Sequence, residues 1–394
     1  MLITSLNKML KVCGCGITMM LGAAGLFGQE LKIGAAAVII TPELGTPMAG
    51  YYYHRGTEGV HDDLFAKAMV LEKQGVKVAL VSCDIVDVSD ELVQRARTMA
   101  QEATGIPPDN ITISATHSHT GPVILSRYSM YQVDGEMGEK LREYNQRLPE
   151  LIAKSIIEAH QNLVPGDLFY GAGEEHSIAF NRRFFMTDGT VGWNPGKSNP
   201  KIIKPAGPID PEVSVLYGVS NQGNPLTTFV NYSLHLDITG GLEISADMPY
   251  TLSQLLAKYK GEEMVTLFGQ GCSGNINHIN VQQPERQKGH AEAERIGTIL
   301  AAEVMKTYTH LEAIAIDQIK VAHRTIELPL ADISPVDMEQ TQKIANSFGT
   351  DHAAPFMELV NAYKLLEVAK RGGKPIKVEI QVIALGDQLA IVSL

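Results

Sequence analysis

The chain is poor in the features that mark several large protein classes. No run of Lys or Arg forms a basic stripe, and 33 basic residues face 44 acidic ones for a net charge of −11, which argues against a nucleic-acid partner. No long acidic tail is present. Cysteine is scarce: of four, Cys13 and Cys15 lie near the N-terminus, leaving Cys83 and Cys272 far apart, so a disulfide scaffold is excluded. An exported chain permits one bridge between them, but two buried thiols are the simpler expectation. Past the N-terminus no segment approaches the roughly 20 apolar residues of a membrane span. No GxGxxG follows a strand and no GxxxxGK[ST] occurs, which removes the common nucleotide-binding signatures. Internal repeats and low-complexity linkers are lacking too.

What is present begins with a processing segment. Lys8 and Lys11 precede an apolar stretch from about Val12 to Phe27, and Gly28-Gln29 is a reasonable cut, so residues 1–28 read as a signal peptide. A lipoprotein anchor at Cys15 is the competing reading, disfavoured because the apolar run follows that cysteine. The mature chain, 29–394, is then expected in the periplasm or outside the cell.

Strand-like and helical segments alternate irregularly after that. Residues 33–42, 64–73 and 76–86 read as strands, the last two joined by a turn at Gly75. Residues 89–105 read as a helix with Ser89 as cap and a terminal glycine. NITISATHSH is the next strand, and 136–162 is a long amphipathic helix interrupted at Pro149. Residues 176–211, rich in Gly and Pro around the single Trp193, read as a long ordered loop. Further strands are expected at 213–219, 227–234, 264–269 and 317–329, and helices at about 249–259, 290–308 and 352–370. A hairpin turning at Gly386-Asp387 ends the chain. The fold class is therefore α/β: one large domain with a mixed β-sheet core, in two central sheets, flanked by helices. A TIM barrel or simple Rossmann order does not fit.

Chemistry concentrates in a few places. ITISATHSHTGP (111–122) carries His117 and His119 at i and i+2, which share a face of a strand. Two imidazoles at a strand end suit a transition metal, though hydrogen-bonded structural histidines would look the same. The residues that follow are Thr120 and Gly121, unlike the HxHxDH of metallo-β-lactamase-like hydrolases. FVNYSLHLDITGG (229–241) ends a second apolar strand in His235, a credible third donor, with Asp237 placed to orient an imidazole. LFGQGCSGNINHIN (267–280) is a Gly-rich turn carrying Ser273, Asn275, Asn277 and His278; it can expose backbone N–H groups to an oxyanion or be a plain tight turn. IAFNRRFF (178–185) holds two arginines among aromatics, and GVHDDLFAKA (59–68) holds His61, Asp62 and Asp63.

In this order the pieces resemble the neutral/alkaline non-lysosomal ceramidase family in its N-terminal catalytic domain. The carriers are MAGYYYHRGTEGVHDDLFAKAMVLE, ATHSHTGP, FNRR, YSLHLDITGGLEISADMPY and GNINHIN. The resemblance implies an exported zinc-dependent hydrolase acting on the amide bond of an N-acylsphingosine-like lipid. His117 and His235 would be zinc ligands, His119 an acid/base or hydrogen-bonding residue, and Arg182 a contact to the substrate amide or reacting group. His61 and Asp247 would border the substrate. The family's nucleophilic serine falls on Asn277, with Ser273 four residues earlier. Because Asn cannot form an acyl-enzyme, hydrolysis would rest on metal-activated water. The family's remaining ligands, a Glu and a Tyr, would follow Leu394, so the resemblance implies a C-terminally truncated member or a site completed by other groups. Two alternatives stay open: the same fold acting on a carbohydrate or other secreted metabolite, or an inactive fragment with an incomplete metal site. The expected partners are a small-molecule or lipid substrate and peripheral contact with lipid surfaces, with no nucleic acid and no stable protein partner.

Overall fold

The structure, a computed structural model, describes residues 2–5, 30–50, 55–126, 133–330, 332–333, 335–347 and 352–394. Its centre is a nine-stranded mixed sheet running, in spatial order, Val265–Gln270, Pro225–Tyr232, Glu212–Ser220, Val164–Glu174, Lys32–Ile39, Phe65–Lys73, Val76–Cys83 and Ile111–Ala115, with Glu312–Ala313 pairing Val164–Glu174. The outer pairs are parallel, Thr227 to Tyr232 against Val265 to Gln270 and Ala79 to Cys83 against Ile111 to Ala115. The pairs between them are antiparallel.

Strand alternation explains the layering. On Phe65–Lys73, Ala66, Ala68 and Val70 face one side while Met69 and Leu71 face the other; on Val76–Cys83, Ala79, Val81 and Cys83 oppose Val78 and Leu80. The first side packs under helices Asp90–Thr104 and Gly135–Gln161, whose Leu92, Ala96, Leu148 and Ile152 are buried there. Farther along the sheet, Val230 and Tyr232 pack under helices Met248–Lys260 and His290–Thr307. The second side is covered by a four-stranded sheet that includes Ile319–Leu328, Ile376–Leu385 and Leu389–Ser393; its Ile383, Leu385, Leu389 and Ile391 meet Ile33, Leu80 and Phe229. Helices, sheet and sheet thus form three layers, as the α/β reading with two sheets requires.

The large sheet curls until its ends meet. Ser82 Oγ donates to the Phe268 carbonyl at 2.6 Å, although Phe268 lies on the first strand of the hydrogen-bonded order and Ser82 on the last but one. This curl brings together the loops that follow Ile111–Ala115 and Pro225–Tyr232, and so positions the site.

Several expectations need correction. Residues 176–211 are not a loop. Arg183–Met186, Val191–Trp193 and Ile202–Pro205 form a three-stranded sheet, and Phe180–Asn181 pairs with Ile276–Asn277. Short strands separated by Gly and Pro leave too little periodicity to read. Pro149 does not interrupt its helix, which runs unbroken over Gly135–Gln161. Helix Pro335–Asn346 was not anticipated; its sequence PVDMEQTQKIAN has few apolar positions to reveal a face. Cys83 and Cys272 are both free, but only Cys83 is buried and Cys272 is exposed. The expected export segment falls outside the described residues except for Leu2–Ser5, which pairs antiparallel with Leu389–Val392 of the last strand. No described helix is long and apolar enough to cross a membrane.

Candidate metal centre

His117, His119 and His235 converge, each offering a ring nitrogen within 4.8 Å of the others, the one such group among the described residues. His119 Nε2 lies 3.4 Å from His117 Nε2 and 3.1 Å from His235 Nε2. The rings of His117 and His119 are nearly perpendicular at 5.0 Å, as are those of His117 and His235 at 4.5 Å.

The convergence does not come from the strand pleat. The strand stops at Ala115, and His117 sits in a left-handed conformation, φ 74°. Such backbone is costly without glycine, and the surroundings hold it there: His117 N–H donates to the Ile85 carbonyl at 3.0 Å and Nδ1–H to the Val86 carbonyl at 2.7 Å. The second bond also fixes the tautomer, since a proton on Nδ1 leaves the Nε2 lone pair facing the other two rings.

A dense set of bonds ties this loop to the His235 segment. His119 N–H donates to the Leu236 carbonyl at 3.1 Å. Ser118 Oγ and Thr120 Oγ1 both bond the Ser245 carbonyl, at 2.8 and 2.9 Å, and Thr120 Oγ1 meets Thr239 Oγ1 at 2.9 Å. Gly50 passes so close that a Cβ there would lie 2.5 Å from the His119 Cβ, and its φ of 87° likewise demands glycine. Gly271 starts the next turn, where a Cβ would strike Ser233 Oγ at 2.3 Å.

Arg55 is the residue the sequence did not single out. It is buried, and its guanidinium donates to the carbonyls of Gly241 at 2.7 Å, Ala49 at 2.5 Å and His119 at 3.0 Å, clamping three separate loops. Its only signal was its place in the quoted opening segment. Asp62 is buried, accepting from Ser245 Oγ at 2.6 Å and Ala246 N–H at 2.7 Å. Asp87 follows the residue that holds His117. Solvent reaches it, yet crowding by the surrounding chain raises its pKa, with His117 pulling the other way.

Arg182 does reach the site. Its Nη2 and Nε bond the Gly274 carbonyl at 2.8 and 3.2 Å, and its guanidinium lies 4.9 Å from the Trp193 ring centroid. Burial lowers its pKa while Asp237 supports the charge, and a guanidinium stays protonated. Asp237 does not orient a ligating imidazole by a hydrogen bond; its neighbour is His278, with Nδ1 3.5 Å from Oδ1, while His278 Nε2 meets the Gln287 carbonyl at 2.7 Å. Burial works to raise the Asp237 pKa, but His278, His235 and His119 outweigh it and hold the carboxyl well below its usual range.

Four residues expected in the chemistry occupy supporting positions. Asn277 is buried, its amide donating to Asn194 Oδ1 at 3.0 Å and accepting from Ile279 N–H at 3.1 Å. Ser273 Oγ accepts from the Gln270 amide at 2.8 Å, a partner that cannot act as a base. Asp247 is buried with φ 63°; Oδ2 accepts from Ile238 N, Thr239 N and Thr239 Oγ1, and Oδ1 from Met248 N at 2.7 Å, so it caps a helix and fixes the turn after His235. His61 stacks on His290 with centroids 3.7 Å apart and bonds Asp62 Oδ2 at 2.9 Å.

Burial is the first cause, and His117 the next, of a His119 pKa lowered to about 4. Burial likewise lowers His235 to about 3, Asp237 opposing it. Neutral imidazoles result at ordinary pH, the form in which histidine ligates. Two nitrogens each bound to a tetrahedral zinc at its usual distance stand about 3.3 Å apart. The separations of His119 Nε2 from the other two, 3.4 and 3.1 Å, lie close to that value, and all three donors fall within 4.8 Å of one another, so the residues present suit one shared cation. Nδ1 of His235 is buried with no hydrogen-bond partner among the described residues, so nothing fixes its tautomer against ligation through Nε2.

Fold and site together define a mixed α/β protein with a half-buried three-histidine donor set. A sequence profile of the neutral/alkaline non-lysosomal ceramidase N-terminal domain matches residues 31–234. The chain is similar to the neutral ceramidase of Pseudomonas aeruginosa, 29% identical over 208 residues, covering 52% of this chain and 28% of that protein. It is similar too to neutral ceramidase 1 of Arabidopsis thaliana, 29% identical over 225 residues, covering 56% and 28%. The crystal structure of the Pseudomonas aeruginosa neutral ceramidase superposes with a TM-score of 0.67 at 21% identity, over 91% of this chain and 61% of that one. The chain belongs to the neutral/alkaline non-lysosomal ceramidase family through its N-terminal domain. The aligned part spans under a third of the length of those two relatives.

Proposed function

We propose that the protein is an exported zinc-dependent hydrolase that cleaves the amide bond of an N-acylsphingosine-like lipid. The observation that carries this is the approach of three imidazole nitrogens within 4.8 Å of one another, with His119 Nε2 at 3.4 and 3.1 Å from the other two, in a chain of this family. The relatives named as neutral ceramidases support the substrate class.

His117 and His235 would hold the metal, and His119 stands close enough to be a third ligand. Zinc bound there supplies Lewis acidity to a carbonyl and acidifies water. The chain's own residues do the rest. Arg182, anchored on Gly274 and Trp193, brings a fixed positive charge to the site, where an oxyanion develops during amide cleavage. Asp247 and Arg55 hold the two histidine loops in register. Asn277, bonded at both ends of its amide, offers no acyl-enzyme route, so water is the attacking group.

That same asparagine favours a second reading, in which the pocket takes another amide, ester or carbohydrate metabolite. Incubating the protein with N-acylsphingosines and with a glycan panel, with and without a chelator, separates the two. Release of fatty acid that is lost on chelation and restored by zinc supports the ceramide reading. Turnover confined to the glycans overturns it.

A further inference from the structure

The three-stranded sheet beside the site carries large apolar side chains on both faces. On Arg183–Met186 the inward residues Phe184 and Met186 are buried, and alternation should then leave a polar outer face. Instead Phe185 is 41% exposed, Val191 44%, Trp193 49% and Ile203 60%. Cross-strand register places Val191 opposite Phe185 and Trp193 opposite Arg183, so three of them share one exposed face. Scattered single apolar side chains are ordinary on a surface, but a cluster on one small sheet marks an interaction site.

Charge is segregated to the same place. Leaving aside the buried Arg182, residues 183–204 contain Arg183, Lys197, Lys201 and Lys204 against Asp188 alone, four minus one or +3, in a chain of net charge −11. Lys204 Nζ lies 5.7 Å from the Phe185 ring centroid, one cation set among the aromatics. Exposed Trp and Phe surrounded by Lys and Arg match a membrane interface, where amphipathic rings settle at headgroup depth and cations meet phosphates. The sheet also adjoins the site: Asn194 N–H donates to the Arg182 carbonyl at 2.9 Å, and Trp193 carries the Arg182 guanidinium.

We propose that the outer face of the 183–205 sheet docks the protein on an anionic lipid bilayer, setting the histidine cluster near the surface from which a lipid amide is drawn. The choice of partner rests in part on the lipid-amide reading above, while the docking itself is measured without any substrate.

Trp193 is the only tryptophan, so the protein reports on its own docking. Purified protein is titrated with vesicles of phosphatidylcholine alone and of an equal mixture with phosphatidylserine, neither holding sphingolipid. The expected result is a blue shift and gain of Trp193 emission, quenching by brominated acyl chains, and weakening as salt rises from about 0.1 to about 1 M. Phe185→Ser combined with Ile203→Ser should weaken vesicle binding about tenfold or more. Lys201→Glu should weaken binding only to the phosphatidylserine vesicles. Unchanged far-ultraviolet circular dichroism shows that these variants fold. Hydrolysis of a short-chain soluble N-acyl substrate should stay at the parent rate in both, and absence of all hydrolysis in the parent counts against the enzymatic reading, leaving the docking result standing. The proposal is overturned if Trp193 emission ignores both vesicles, if the apolar double variant binds like the parent, or if emission shifts with protein concentration alone, which would make a second copy the occupant.

Discussion

His119 Nε2 lies 3.1 Å from His235 Nε2 although 116 residues separate them, and the bond that makes this possible is a backbone one, His119 N–H to the Leu236 carbonyl. Two neutral rings at this distance must share one proton, and a cation removes that requirement. If His119 is a ligand, His119→Ala weakens zinc binding at least about 100-fold, no less than loss of a supporting residue typically costs. If it only meets substrate, zinc affinity holds and turnover falls. Calorimetric titration of zinc into the chelated protein reads the difference.

Arg55 should behave as a structural clamp. Arg55→Ala leaves the carbonyls of Ala49, His119 and Gly241 without their donor, at a cost of about 3 kcal/mol. The denaturant midpoint should fall accordingly, and zinc affinity should fall with it because the His119 loop loosens.

Asp247 is the test of support against substrate contact. Asp247→Ala removes a helix cap and two further backbone acceptor contacts, an expected loss of about 3 kcal/mol. The folded fraction should keep its KM. A raised KM with undiminished stability would place Asp247 against substrate instead.

The metal-free protein should be acid-sensitive in a defined window. The unfolded chain protonates its histidines near pH 6.5, whereas folded His119 holds out to about 4 and His235 to about 3. Between those values the unfolded state binds more protons, so stability falls as pH drops from about 6.5 towards 4. Above that window neither group contributes a slope. Denaturant midpoints measured against pH, with chelator present, should show this fall, and His119→Gln should reduce it by the share of one proton.

What was legible in the sequence follows the range of the interactions. The apolar run of Phe65–Lys73 and the apolar strand ITISA leading to the His-x-His are local patterns, and both strands are present in the structure. The reason for the convergence was not legible, because it depends on the left-handed turn at His117 and on the curl that joins Ser82 to Phe268. Arg55 and Asp62 act across more than 180 residues, on Gly241 and on Ser245, and no spacing announces such partners. The small sheet at 183–205 was hidden by its own Gly and Pro, which read as loop while its aromatic face was in plain view.

The most direct test of the central claim is the zinc content of the purified protein beside that of His117→Ala and His235→Ala. The account predicts close to one zinc per chain in the parent, with an absorption-edge spectrum showing nitrogen donors, and near zero in both variants while their circular dichroism is unchanged. Zinc retained in His117→Ala, or absent from a folded parent supplied with the metal, would contradict it.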